Sequence, residues 1–174
     1  MSRTGESKII HVVVGSTGSG KSTYGKQLAD QLGSLHFSVD EWMHTLFEAD
    51  KPKEPTFDWM MERINRIKEQ IWQSATSLTD HNIAPVLEIG LTTRTDRSTL
   101  FQKAEDLGIE VHLHFLDVSV EERWQRVERR NKQRGETYSL EVTRDMFDFV
   151  ENMWEPPTNH ELSEWKMVRA IKPS

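Results

Sequence analysis

The chain has 174 residues, a length that suits one domain (1–174) and can bury a sizeable core. Charged residues make up 29% and the net charge is −6, which argues against a general binder of nucleic-acid backbone or of anionic membrane, though one local basic site remains open. The absence of cysteine rules out disulfides and thiolate metal sites.

Residues 1–7 are read as a flexible polar lead. No leader peptide and no apolar run of membrane-spanning length is recognisable, so the expected location is cytoplasmic, with no membrane partner. Lys8 to Val14 is a β-branched apolar run suited to a buried parallel strand. It leads into Gly15-Ser16-Thr17-Gly18-Ser19-Gly20-Lys21-Ser22, a full match to the P-loop pattern G-x-x-x-x-G-K-[ST]. Its glycines allow a tight turn with several amides aimed at one anion, Lys21 supplies a cation for outer phosphates, and Ser22 supplies a hydroxyl ligand for Mg²⁺. Thr23, next in line, is placed for an α-phosphate. Tyr24, Leu28 and Leu32 share one face of the helix that follows, and Gly33 stops it. Strand, glycine turn and helix are the context that the motif needs.

Leu35 to Asp40 alternates as a short second strand, with Asp40 and Glu41 at its C-terminal end, the edge where open α/β sheets bind ligands. Asp40 has two readings: a general base for an acceptor hydroxyl, or simply an acidic first-turn residue behind a capping box of Ser38 and Glu41. Trp42, Met43, Phe47 and Trp59 either wall an acceptor pocket or belong to the core. A long helix is predicted from about Phe57 to Leu78, with Phe57, Met60, Ile64, Ile67, Ile71, Ala75 and Leu78 on one stripe.

Pro85 to Ile89 reads as the third strand. Arg94 and Arg97 follow it, each a candidate contact to acceptor or phosphate, and Thr95 is the predicted cap of a helix over 96–107. Ile109 to Leu116 alternates as a fourth strand, and Ser119 with Glu122 forms a capping box for the next helix. Arg126, Arg130 and Arg134 recur on one face of that helix, alongside Arg123, Arg129 and Lys132, either to neutralise phosphate charge or as a solvated face paired with Glu121, Glu122 and Glu128. Gly135 is a candidate hinge. A helix over 139–154 with an apolar face of Leu140, Val142, Met146, Phe149, Val150 and Met153, then a fifth strand over 165–171, completes an alternating α/β pattern.

The P-loop, Ser38-x-Asp40-Glu41, Glu88-x-Gly90, Arg126-x-x-x-Arg130-Asn131 and Glu155-Pro156-Pro157 together resemble P-loop kinases of the nucleoside-monophosphate-kinase-like group. The chain looks similar to small ATP-binding kinase-like proteins of AAA type, related to zeta toxins, chloramphenicol phosphotransferase and polynucleotide kinase. That resemblance implies a three-layer P-loop NTPase fold with a five-stranded parallel sheet in the order 2-3-1-4-5 and an arginine-rich lid over about 123–138. It also implies transfer of the γ-phosphoryl group of ATP, with Mg²⁺, to a hydroxyl of a small acceptor. Relatives often carry Asp where this chain has Glu88; the longer arm moves the carboxylate by about one C–C bond and leaves its reach to a metal open. The site set is therefore Gly15 to Thr23 for the nucleotide, Ser22 and Asp40 for the metal, Lys21, Asp40, Arg126 and Arg130 for the chemistry, with Glu88, Arg94, Arg97 and Arg134 as further contacts. Rival readings are a P-loop ATPase or switch with no phosphorylated acceptor, and a polynucleotide 5′-hydroxyl as acceptor.

Overall fold

The computed structural model describes residues 8–133 and 141–170. In chain order the elements are β1 (Lys8–Val14), α1 (Lys21–Leu32), β2 (His36–Ser38), α2 (Val39–Phe47), α3 (Phe57–Thr79) and β3 (Val86–Glu88). They continue with α4 (Arg94–Asp106), β4 (Ile109–Leu116), α5 (Val120–Gln133), α6 (Arg144–Met153), α7 (Asn159–Glu164) and β5 (Met167–Ala170). All pairings are parallel, and the sheet runs β2-β3-β1-β4 with β5 added at the β4 edge.

Side chains alternate across the sheet because a strand has period two. Ile10, Val12 and Val14 of β1 meet Ile67, Ile71 and Ala75 of α3 and Leu100 and Ala104 of α4 in one core. On the other face Val13, Val86 and Leu116 meet Ala29, Tyr24 and Leu28 of α1. Helices therefore cover both faces, and the central strand β1 is sealed between them. That second face also holds His11 and His114, whose rings are hydrogen-bonded at 2.9 Å, with Tyr24 Oη 2.8 Å from His114 Nδ1.

Several boundaries differ from the sequence reading. β2 ends at Ser38 because Ser38 already caps α2, its Oγ accepting from the Glu41 amide, so Asp40 lies in the first helical turn and not at the end of a strand. The capping box is only half made: Glu41 turns away to Lys26 at 2.8 Å. Ser119 likewise accepts from the Glu122 amide, while the Glu122 carboxylate goes to Arg126. Helix α4 is capped by Thr93, not Thr95, through a reciprocal box with Asp96. Helix α6 starts at Arg144 behind a Thr143 cap, and buries Phe147. Its expected apolar face points outward instead, with Met146, Phe149 and Met153 exposed. The start of the α3 stripe is exposed too, at Phe57 and Met60, since α3 reaches the sheet only from Ile64 onward. Ser139, Leu140, Arg134, Gly135 and the remainder of the expected lid tip lie outside the described residues. No helix among the described residues is long and apolar enough to cross a membrane.

Candidate nucleotide and phosphoryl-transfer site

The loop between β1 and α1 has the geometry its glycines make possible. Gly18 and Gly20 sit at φ +80° and +94°, the left-handed region that other residues disfavour. Space is equally tight: a Cβ at Gly18 would fall 2.5 Å from the Arg123 carbonyl oxygen, and one at Gly15 would fall 2.5 Å from Ser19 Oγ. Lys21 opens α1 with its Nζ folded back to the Ser16 carbonyl at 3.2 Å. Thr23, in the same first turn, is exposed.

Ser22 Oγ donates to Glu88 Oε1 at 3.1 Å, which ties the start of α1 to the end of β3. A hydroxyl that gives its proton to a carboxylate keeps its lone pairs for a cation. Glu88 is buried, and its Oε2 has no hydrogen bond, lying 3.4 Å from His36 Nε2 without hydrogen-bonding geometry. Burial pushes the Glu88 carboxyl up, but the His36 ring, the Lys21 charge and the Ser22 hydroxyl together outweigh it and hold it below its ordinary value. His36 itself is wedged under α1, where a Cβ at Gly25 would come 2.6 Å from Nε2.

Asp40 stands at the mouth of this group. Its side chain reaches solvent, yet protein surrounds it on most sides, and that crowding raises its pKa. Glu88 adds to the rise, while the charges of Lys21 and Arg130 oppose it. The structure thus brings Lys21, Ser22, Asp40, Glu88 and Arg130 to one end of the sheet. The donor set fits a hard divalent cation: one hydroxyl, one orphaned buried carboxylate oxygen and one accessible carboxylate. Among the described residues no group of three or more His, Cys, Asp and Glu could hold a metal alone, so such an ion would depend on phosphate oxygens for its remaining ligands.

The arginines divide. Arg126 spans the Ser19 carbonyl at 3.1 Å and Glu122 at 2.8 Å, so it braces the loop from α5. Arg94 is exposed at the start of α4, with Glu155 Oε2 accepting from its backbone amide at 2.7 Å. Arg97 does not reach the ligand edge. It is fully buried, its Nε and one Nη held by Glu161 at 2.8 and 3.3 Å and its other Nη by the Glu155 carbonyl, which makes it a strut between α4 and α7. The aromatic group beside α2 is mainly core: Trp42, Met43 and Phe47 pack on the cluster under α3, and Arg63 stacks 3.9 Å over the Trp59 ring.

Three residues near the loop have roles that the sequence does not announce. Arg123 reads only as added charge, yet it is buried and donates to the Thr17 carbonyl at 3.2 Å. Glu151 accepts from Ser16 Oγ at 3.0 Å and from Arg123 at 2.8 Å. His36 underlies Glu88. The signal available for Arg123 was its placement four residues after Ser119, inside the first turns of the helix that faces the loop; Glu151 and His36 carried none.

A glycine cradle between a parallel strand and a helix, with acidic and basic groups gathered over it, defines a P-loop kinase-like protein. The family model described as AAA domain matches residues 10–153, and the chain belongs to that family. Among solved structures it is similar to a sugar kinase from Janibacter sp. HTCC2649, at 16% identity and TM-score 0.58, covering 95% of this chain and 85% of that one. It is also similar to Chaetomium thermophilum Kti12 in complex with ADP-AlF3, at 16% identity and TM-score 0.61, with 92% and 88% covered. A third is the Mycobacterium tuberculosis APS kinase CysC in complex with AMPPNP and APS, at 21% identity and TM-score 0.52, with 74% and 71% covered. No curated protein gives a match.

Proposed function

We propose that this protein is an ATP-dependent phosphotransferase that moves the γ-phosphoryl group of ATP to a hydroxyl of a small acceptor. The observation that carries the reading is the placement of Asp40: an accessible carboxyl beside Lys21, Glu88 and Arg130 at an intact P-loop. Structural likeness to an APS kinase in complex with AMPPNP and APS, and to Kti12 in complex with ADP-AlF3, supports it.

In this reading the amides of Gly15 to Thr23 grip the triphosphate, and Lys21 bridges its outer phosphates. Ser22 and Asp40 would hold Mg²⁺, with Glu88 orienting the Ser22 hydroxyl; bound there, the ion supplies charge neutralisation for the phosphates. The acceptor O–H gives its proton to Asp40 as its oxygen forms the new bond to the γ-phosphorus. The bond from that phosphorus to the bridging oxygen breaks, and ADP leaves. A carboxylate within reach of the acceptor hydroxyl can take its proton as the new bond forms. Arg130 supplies positive charge on the acceptor side of the phosphates, Arg126 keeps the loop in shape, and Arg94 is available to the acceptor. Arg134 belongs to the same proposed set from outside the described residues.

The test is a screen with γ-labelled ATP over sugars, nucleosides, nucleotide-sugars, aminoglycosides and oligonucleotides, with Lys21→Ala as control. Label in an organic product, lost in the control, supports the reading. Label released only as free phosphate with every acceptor class favours an ATPase and overturns it.

A further inference from the structure

We propose that Glu151, on α6, is a positioning residue for the nucleotide cradle, holding the 15–20 loop in its anion-binding shape by fastening Ser16 and Arg123. The proposal rests on the nucleotide-binding part of the functional reading above.

Glu151 is distant in sequence from everything it touches here. One carboxylate oxygen accepts from Ser16 Oγ at 3.0 Å, inside the loop; the other accepts from Arg123 at 2.8 Å. Arg123 also donates from Nε to the Val118 carbonyl at 3.0 Å and from Nη1 to the Thr17 carbonyl at 3.2 Å. A trans peptide is planar, with its C=O and the following N–H pointing in opposite directions. Fixing the Thr17 carbonyl on Arg123 therefore turns the Gly18 N–H away from α5. Arg126, by taking the Ser19 carbonyl at 3.1 Å, does the same for the Gly20 N–H. These are two of the amides that a phosphate would need.

Helix α6 is itself well placed to act as the anchor. Phe147, one turn before Glu151 and on the same face, is buried against Trp124 of α5 at 5.3 Å between ring centroids. Arg144 lies 5.0 Å over the Trp124 ring, and Asn131 exchanges two hydrogen bonds with the Val142 backbone. A carboxylate beside an anion site would ordinarily repel phosphate. Here the Arg123 guanidinium holds the Glu151 carboxyl below its ordinary value and cancels its charge, so what the pair adds to the loop is order and not net charge.

The experiment uses the full chain. Mg·ATP affinity is measured by calorimetry for wild type, Glu151→Gln, Ser16→Ala and the double variant. Amide exchange of the 15–20 loop is followed in the nucleotide-free proteins, well below their melting points. The expected results are a Kd raised about tenfold in Glu151→Gln, the scale of one lost charge-assisted hydrogen bond, with the double variant no weaker than the worse single. Loop amides exchange faster in Glu151→Gln while those of β1 do not change. Unchanged affinity and exchange overturn the proposal, and so does tighter binding, which would mean that Glu151 merely masks the Arg123 charge. If wild type binds Mg·ATP but labels no acceptor, the functional reading falls while this one stands. If the variant matches wild type while transfer proceeds, this one falls alone.

Discussion

Arg97→Met is expected to damage the fold and spare the nucleotide site. The wild-type guanidinium is sealed from solvent and makes two contacts to Glu161 and one to the Glu155 carbonyl. Methionine fills much of the same volume but leaves the Glu161 carboxylate without a counter-charge. Breaking a buried pair from one side costs about 3–5 kcal/mol. Glu161 keeps the Thr158 amide at 2.9 Å and the Thr158 hydroxyl at 3.1 Å, which places the loss near about 3 kcal/mol. For a chain of this length that lowers the melting midpoint by about 6–12 °C. Urea and thermal denaturation at neutral pH read the loss directly. Replacing both partners, Arg97→Met with Glu161→Leu, restores part of it because no buried charge is left unpaired, although Thr158 and the Glu155 carbonyl lose their partners. A loss under about 1 kcal/mol would refute the strut assignment. A weaker Kd for Mg·ATP in the folded variant would return Arg97 to the site.

Three further outcomes are expected. Asp40→Asn lowers phosphoryl transfer by about 10²–10⁴-fold, the range for a general base, and weakens Mg·ATP binding by a smaller factor; transfer at the wild-type rate would remove the base assignment. The buried pair His11 and His114 each titrate at about 4, lowered first by burial and then by neighbouring histidine charge, His112 for His11 and His11 with His112 for His114. The unfolded chain takes up those protons nearer 6.5, so it binds more protons than the folded one between the two values. Stability is complete above about pH 6.5 and falls as pH drops toward 4, and the double variant His11→Gln, His114→Gln should show a flatter urea-midpoint profile over that window. A wild-type profile with no slope there would contradict the buried neutral pair. Gly25→Ala, which in an unobstructed helix stabilises by about 1 kcal/mol, should instead destabilise by about 1–3 kcal/mol as the new methyl meets His36; a gain in melting temperature would show that His36 yields without cost.

What could be read from the sequence, and what could not, follows from how local each cause is. The strand, loop and helix over 8–32 are set by neighbours in the chain, and the glycine spacing carries the chemistry with it. The caps were misplaced where two candidates stand two residues apart: Thr93 and Thr95 have the same side chain, and only Asp96, three residues after Thr93, decides between them. An apolar stripe reports that a helix has two unlike faces, not which one meets the core. On α6 the single Phe147 turns inward and Met146, Phe149 and Met153 stay outside. Arg97 reads as a ligand-seeking cation, and Arg123 as added charge, because their carboxylate partners, Glu161 and Glu151, arrive only when distant segments fold back. Glu88 illustrates the opposite case: its longer arm left its reach open, and folding directs it to the Ser22 hydroxyl.

The proposed grip of the 15–23 loop on the phosphates of ATP, through Lys21 and Ser22, is open to calorimetry with ATP and Mg²⁺ on wild type and Lys21→Ala. Saturable one-to-one heat is expected for wild type, with its loss in Lys21→Ala at an unchanged melting temperature. Wild-type protein giving no heat at millimolar ATP, or equal binding by the two proteins, would contradict it.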